Sequence, residues 1–311
     1  MILAMLLATD AAGQTPIRVG MVYELSAGDR KGYVLPSMHS GSPVEIVLKE
    51  SIRDLVATAD VVAFETVPHG AANRPGHARI ANDLMRRPKD SGVLTDEIPG
   101  ELAARIRRVL DRRGATAKQW DALLQARVQF ADDVLAGIFN RLPILDRLPG
   151  AGSGAATWSH PGIEAWVIAE AQRNDRRVEE LEGSLPWLRA RLALSTEEAV
   201  AELEQRIGRL ESDPDGSVNY AYAERLARLL YADEHEALYG QFRAGTCGSP
   251  LLRNVCDKIV DGRNAYLATR IDALMSSGRR TFAVVGAMHV AGPRSVLIEL
   301  EKRGYTIRRM Q

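Results

Sequence analysis

The stretch that decides the fold is Thr281-Phe282-Ala283-Val284-Val285-Gly286-Ala287-Met288-His289, followed by Gly292-Pro293 and the closing Gly304-Tyr305-Thr306-Ile307-Arg308-Arg309-Met310-Gln311. Phe282 to Val285 is a short unbroken apolar run, which predicts a strand covered on both faces. It stops at Gly286-Ala287-Met288-His289. Gly292-Pro293 then predicts a turn with proline at a first helical position, and Val296, Leu297 and Leu300 share one helical face up to a stop at Gly304. Tyr305 to Met310 resumes period-two alternation, as a last, half-exposed strand would. The unit reads strand, histidine, helix, strand. A histidine where a buried strand gives way to a helix sits at the carboxyl edge of a sheet, which is where open α/β folds bind ligands.

Working outward, the N-terminal part supplies partners for that strand. Residues 17–23 alternate loosely, Ala27-Gly28-Asp29 makes a turn, and Gly32-Tyr33-Val34-Leu35 resumes before Pro36-Ser37-Met38-His39, so a hairpin is expected. Ser42-Pro43 is read as the opening of a helix whose apolar face holds Ile46, Leu48, Ile52, Leu55 and Val56. Val61-Val62-Ala63-Phe64 is another near-continuous apolar strand, ending on Glu65. Residues 69–172 are mostly helical, with loops at 73–76 and 87–90 and a flexible break at Pro149-Gly150-Ala151-Gly152-Ser153-Gly154. A helix from His160-Pro161 leads into a short strand over 176–182, and residues 185–245 return to amphipathic helices. The expectation is an α/β fold with a central mixed β-sheet built from N- and C-terminal segments, flanked by helices, with a large helical insertion. It is a single domain over 17–311 whose helical middle covers about 70–172 and 185–276.

The 311 residues carry 40 Lys plus Arg against 40 Asp plus Glu. That balance gives no electrostatic pull toward nucleic acid or an anionic membrane, and no internal apolar run reaches membrane-spanning length. At the N-terminus, Ile2-Leu3-Ala4-Met5-Leu6-Leu7-Ala8 before Thr9-Asp10-Ala11-Ala12-Gly13-Gln14 has the apolar core and small residues of a secretory signal without its basic start. Residues 1–16 are therefore read as the remnant of such a signal, the other reading being a plain apolar first strand, and the expected location is periplasmic or secreted. Cys247 and Cys256 either close a small loop, with Gly248 and Pro250 bending the chain between them, or stand as two buried thiols.

Ionisable residues gather at strand ends. His39, Glu65 and His289 each come at or just after an apolar run, and Glu182 closes a weaker one. If those runs are parallel neighbours, their ends meet at one edge of the sheet. Two imidazoles and a carboxylate commonly hold a divalent metal with a position left for water. A structural role for His39 and His289 satisfies the same pattern. His69, His77, His160 and His235 lie in polar or proline-bearing stretches and read as solvated or capping residues. In residues 252–275, Leu252, Val255, Ile259, Leu267, Ile271 and Leu274 recur at spacings of three, four and eight, and Arg263 fills the vacancy left by the eight, with Asn264 on its flank. An arginine inside an apolar stripe implies an anionic group opposite it, because an unpaired buried charge is strongly unfavourable. That group is either Glu65 or Glu182 in an internal salt bridge, or a substrate.

Val284-Val285-Gly286-Ala287-Met288-His289-Val290-Ala291-Gly292-Pro293 resembles the closing Gly-x-x-His signature of the TraB/PrgY/GumN family, to which the TIKI metalloproteases belong, and whose fold is related to erythromycin esterases and haem-binding ChaN. The other parts follow in the family's order: Val34 to His39, Ala59 to Glu65, Pro161 to Glu164 with Val178 to Glu182, and Asp261 to Ala268. Pro36 stands where the family's first glycine is expected. The resemblance implies a metal-dependent hydrolase acting on a peptide, with His39 and His289 on a divalent metal ion and Glu65 as third ligand or general base. Glu182 is a second candidate for either part, Arg263 would stabilise the developing oxyanion, and Asn264 would orient the scissile carbonyl. The alternatives are an esterase-like hydrolase on the same site and a non-catalytic peptide- or haem-binding protein.

Overall fold

Two apolar segments from opposite ends of the chain lie side by side at the centre of the molecule. The structure is a computed structural model describing residues 16–38, 45–66, 83–139, 162–213, 217–232 and 234–310. Its N-terminal part holds β1 (Ile17–Val19), β2 (Val22–Ala27), β3 (Arg30–Ser37), β4 (Ile46–Leu48), α1 (Glu50–Thr58) and β5 (Val61–Phe64). The middle holds α2 (Gly100–Arg112), α3 (Ala117–Leu124), α4 (Val128–Phe139), α5 (Ile163–Arg173), β6 (Arg177–Glu180), α6 (Ser184–Leu192), α7 (Thr196–Ser212), α8 (Ser217–Tyr231), α9 (His235–Thr246) and α10 (Pro250–Cys256). One π-helical turn, Asp257–Asp261, leads into α11 (Gly262–Ser276). β7 (Thr281–Gly286), α12 (Ala287–Val290), α13 (Val296–Glu301) and β8 (Thr306–Met310) close the chain.

The main sheet has the order β6-β5-β7-β3-β2-β8. β6, β5, β7 and β3 are parallel, while β2 runs antiparallel to both β3 and β8. The sheet is thus mixed and assembled from both ends of the chain. Every residue of β7 is buried. Ala283 and Val285 pack into one core with Leu267, Ile271, Val296 and Leu300, and Phe282 and Val284 into another with Ile52, Val56, Ile163 and Val167. A strand with helices on both faces needs no polar side, which is why its sequence is an apolar run rather than an alternation. The inserted helices α2, α3, α4 and α7 bury their own core around Leu102, Ile106, Leu135, Leu203 and Ile207.

Four local expectations are corrected. No helix holds Ile46 and Leu48: these residues form β4, parallel to β1 with Ile17 opposite Ile46 and Val19 opposite Leu48, and the helix begins only at Glu50. The buried, half-exposed, buried pattern over 46–48 has period two, and strand pairing wins over the helical phase that a Ser-Pro start suggests. The hairpin strand begins at Val22, because residues 17–19 pair with β4 instead. Gly28, at φ 58°, makes the two-residue turn to β3 that a residue with a Cβ would strain. Pro293 does not open a helix: Ser295 caps α13, its Oγ accepting the Ile298 N–H at 3.3 Å. Gly292 turns the chain at φ 83° with the Tyr239 ring 2.5 Å from where a Cβ would stand, so both its backbone and its lack of a side chain are used.

His235 is the fourth, being buried rather than solvated, with its Nδ1 2.5 Å from the Tyr23 hydroxyl of β2. Burial pushes its pKa below the ordinary 6.5, against upward pulls from a hydrogen bond to the Leu230 backbone and from Glu236. The folded protein therefore prefers the neutral ring, a contribution present above the unfolded pKa and lost as pH falls through the folded one. Chemical-denaturation midpoints should fall more steeply below about pH 6.5 in the native protein than in His235→Gln, and parallel curves would show that this ring does not couple to folding. His69, His77 and His160 lie outside the described residues.

Candidate functional site at the carboxyl edge of the sheet

Because β3, β5, β6 and β7 are parallel, their carboxyl ends share one edge, and the side chains just beyond them meet there. Glu65 follows β5 and is 3 % exposed. Its backbone extends the ladder, with Glu65 N–H donating to Val284 O at 2.8 Å and Glu65 O accepting from Glu182 N–H at 3.2 Å. Alternation along β5 puts Val61 and Ala63 in the core that α11 covers, so Glu65 points the same way. Its Oε2 accepts the Gly286 N–H at 2.8 Å, and its Oε1 lies 3.2 Å from His289 Nε2.

Arg263 closes this group from α11. Its Nη1 pairs with Glu182 Oε2, its Nη2 lies 3.2 Å from Glu65 Oε1 and 3.0 Å from His289 Nε2, and its Nε donates to Ile259 O at 2.6 Å. The anionic group implied by an arginine in the apolar stripe is therefore both glutamates at once. The π turn over 257–261 leads directly into the helix that carries Arg263.

Asn264, 1 % exposed, fixes the histidine. Its Nδ2 donates to Arg294 O at 2.6 Å, so its Oδ1, 2.6 Å from His289 Nδ1, must accept. The ring proton is thereby placed on Nδ1, leaving the Nε2 lone pair on the side of Glu65 and Arg263. Asn264 thus holds the ring, bonded through both ends of its amide. Arg294 is braced in turn by Asp257 at 2.7 Å and Asp261 at 2.6 Å.

Glu65, Glu182, Arg263, Asn264 and His289 thus converge, whereas His39 lies outside the described residues. Ser37, two positions before it, ends β3 opposite Gly286. Pro36 occupies a stretch where β3 has left β2, whose last paired residue is Tyr23 against Val34, and keeps only β7 beside it. A proline is tolerated in such an edge position. Sequence reading passed over Glu164, which is 3 % exposed and accepts the Ser37 hydroxyl at 2.7 Å. The signal was available: Glu164 sits between Ile163 and Val167 on the buried face of α5.

A divalent metal fits part of this arrangement. Two buried carboxylates, Glu65 and Glu182, and the His289 ring gather around the Arg263 guanidinium. The oriented Nε2 and the nearby Glu65 Oε1 are donors of suitable chemistry. Among the described residues, however, no group of three or more His, Cys, Asp or Glu side chains is arranged to hold a metal, and Arg263 Nη2 shares the space between the two donors.

No curated protein and no solved structure matches this chain. The model of one family does, over residues 21–309, which takes in the main sheet up to the last residue of β8 and every residue of the cluster. The chain belongs to the TraB/PrgY/gumN family.

Proposed function

We propose that this protein is a metal-dependent hydrolase, acting on a peptide bond outside the cytoplasm, with its reaction centre at Glu65, Glu182, Arg263 and His289. The observation that carries this reading is the oriented imidazole of His289 facing the Glu65 carboxylate at 3.2 Å, at the edge where parallel strands end. His289 through Nε2, His39 and Glu65 would hold a divalent cation. When bound, such a cation supplies Lewis-acid polarisation of a carbonyl and brings the pKa of water toward neutrality. Asn264 keeps the ring in its tautomer. Glu65, held by the Gly286 N–H, and Glu182, held by Arg263, are the carboxylates that could take the proton from water. Arg263 supplies positive charge where the substrate oxygen becomes negative.

The deciding experiment is metal analysis of the purified protein alongside an unbiased peptide-cleavage screen and a panel of esters. Peptide cleavage that stops with a chelator and returns with a divalent ion supports the reading. Cleavage of esters alone moves the assignment to an esterase-like hydrolase. Retained peptide or haem with no product, metal supplied, moves it to a binding protein.

Export is supported by a disulfide between Cys247 and Cys256, which belongs to oxidising compartments. No helix among the described residues is long and apolar enough to cross a membrane. The bridge links residues nine apart and should contribute about 2–3 kcal/mol by restricting the unfolded chain. Urea titrations of native protein and of the Cys247→Ser/Cys256→Ser double variant test this. Identical midpoints, or a natural product recovered wholly from the cytoplasm with both thiols open to alkylation, would count against the bridge and export.

A further inference from the structure

Away from the glutamate and histidine cluster, the helices α4, α7, α8, α9 and α10 and the π turn line a cavity of about 260 Å³. One wall is apolar, formed by Phe242, Leu252, Val255 and Ile259. The other carries Arg206 and Arg209, and the two arginines differ. Arg206 is bonded through Nε and Nη2 to both oxygens of Asp132, the second contact at 2.7 Å. Arg209 donates from Nη2 to Gly245 O at 2.5 Å, and among the described residues it has no carboxylate in ion-pair contact. Burial holds its pKa below the ordinary arginine value, with the neighbouring Arg206 adding to that shift and Tyr222 and Asp132 opposing it.

We propose that this cavity is a second binding site, for a small monocarboxylate with an apolar body, its carboxylate on Arg209 and its body against Phe242, Leu252 and Val255. A guanidinium with a remaining donor face and a planar carboxylate make a matched pair, strongest where water is partly excluded. The volume is below that of drug-sized pockets, so the ligand is small. Asp132 and Glu202 also line the cavity, which disfavours a dianion such as phosphate. The site adjoins the reaction centre through Ile259, which lines the cavity and whose carbonyl accepts the Arg263 Nε–H at 2.6 Å. A ligand packed on Ile259 therefore touches the turn that holds Arg263. The proposal concerns binding and stands whether or not the protein is a hydrolase.

The test is titration calorimetry of the full chain with 3-phenylpropionate, its neutral amide 3-phenylpropanamide, and acetate. Binding of 3-phenylpropionate at least tenfold tighter than either control is expected, because the amide lacks the charge and acetate lacks the apolar body. Arg209→Gln should lose at least tenfold for the acid and little for the amide, and Arg209→Lys should keep part of the difference. Arg209 is half-buried and outside the cores, so these variants should fold, which circular dichroism checks. Where Arg209→Gln proves unfolded, Val255→Phe reads the same site by filling it, and should abolish acid binding with every charge intact. Equal affinity for acid and amide, undiminished acid binding in Arg209→Gln or in Val255→Phe, or no binding of the acid at all overturns the proposal.

Discussion

Replacing Arg263 by alanine is expected to lower kcat by roughly 10²–10³ and to destabilise the protein by roughly 3–5 kcal/mol. The guanidinium pairs with Glu182 and Glu65, both buried, so its removal takes from two carboxylates at one edge of the sheet the cation they share. One of them would have to take up a proton or draw in water, and either route is costly in a site that excludes solvent. Lysine is a poor substitute, since a point charge cannot reach Glu182, Glu65 and Ile259 O together. The two effects separate in the Arg263→Met/Glu182→Gln double variant, which removes a cation and an anion together and should recover much of the stability while turnover stays low. Unfolding midpoints and turnover per folded molecule are the measurements. Full turnover in Arg263→Ala, with only stability lost, would make the arginine a structural ion pair and nothing more.

For His289→Ala the expected result is loss of both metal retention and turnover, with a smaller stability loss of about 1–3 kcal/mol. The stability term comes from Asn264, whose buried Oδ1 loses the Nδ1 donor it now meets at 2.6 Å. The functional term comes from Nε2, the nitrogen that this tautomer turns toward Glu65. Asn264→Leu is the companion variant: it keeps the imidazole and frees its orientation, so metal affinity should drop by roughly 10–100-fold without vanishing. Metal content after dialysis separates these variants independently of any substrate. Unchanged activity in His289→Ala, or robust hydrolysis by metal-free protein, would falsify the metal mechanism and favour the binding-protein reading.

The residue pattern alone determined the sheet and the group at its edge. Val61 to Phe64 and Phe282 to Val285 are apolar without alternation, and that pattern has one economical reading, strands with helices on both faces. If such strands are parallel neighbours, Glu65, Glu182 and His289 meet at one edge, and the arginine interrupting an apolar stripe implies an anion opposite it. These features rest on periodicity and charge, which are local and can be counted along a chain. What only the tertiary structure decided depends on neighbours distant in sequence. Ile46 and Leu48 form a strand because Ile17 and Val19 are there to pair with them. Asn264 bonds His289 and Arg294, Arg263 serves two glutamates rather than one, and Ser37 turns to Glu164 on the opposite face of the sheet from Glu65. Arg209 lines a cavity that five helices and a π turn make together. A side chain's type states what it can bond, and only the packing of remote elements settles which of those bonds it makes.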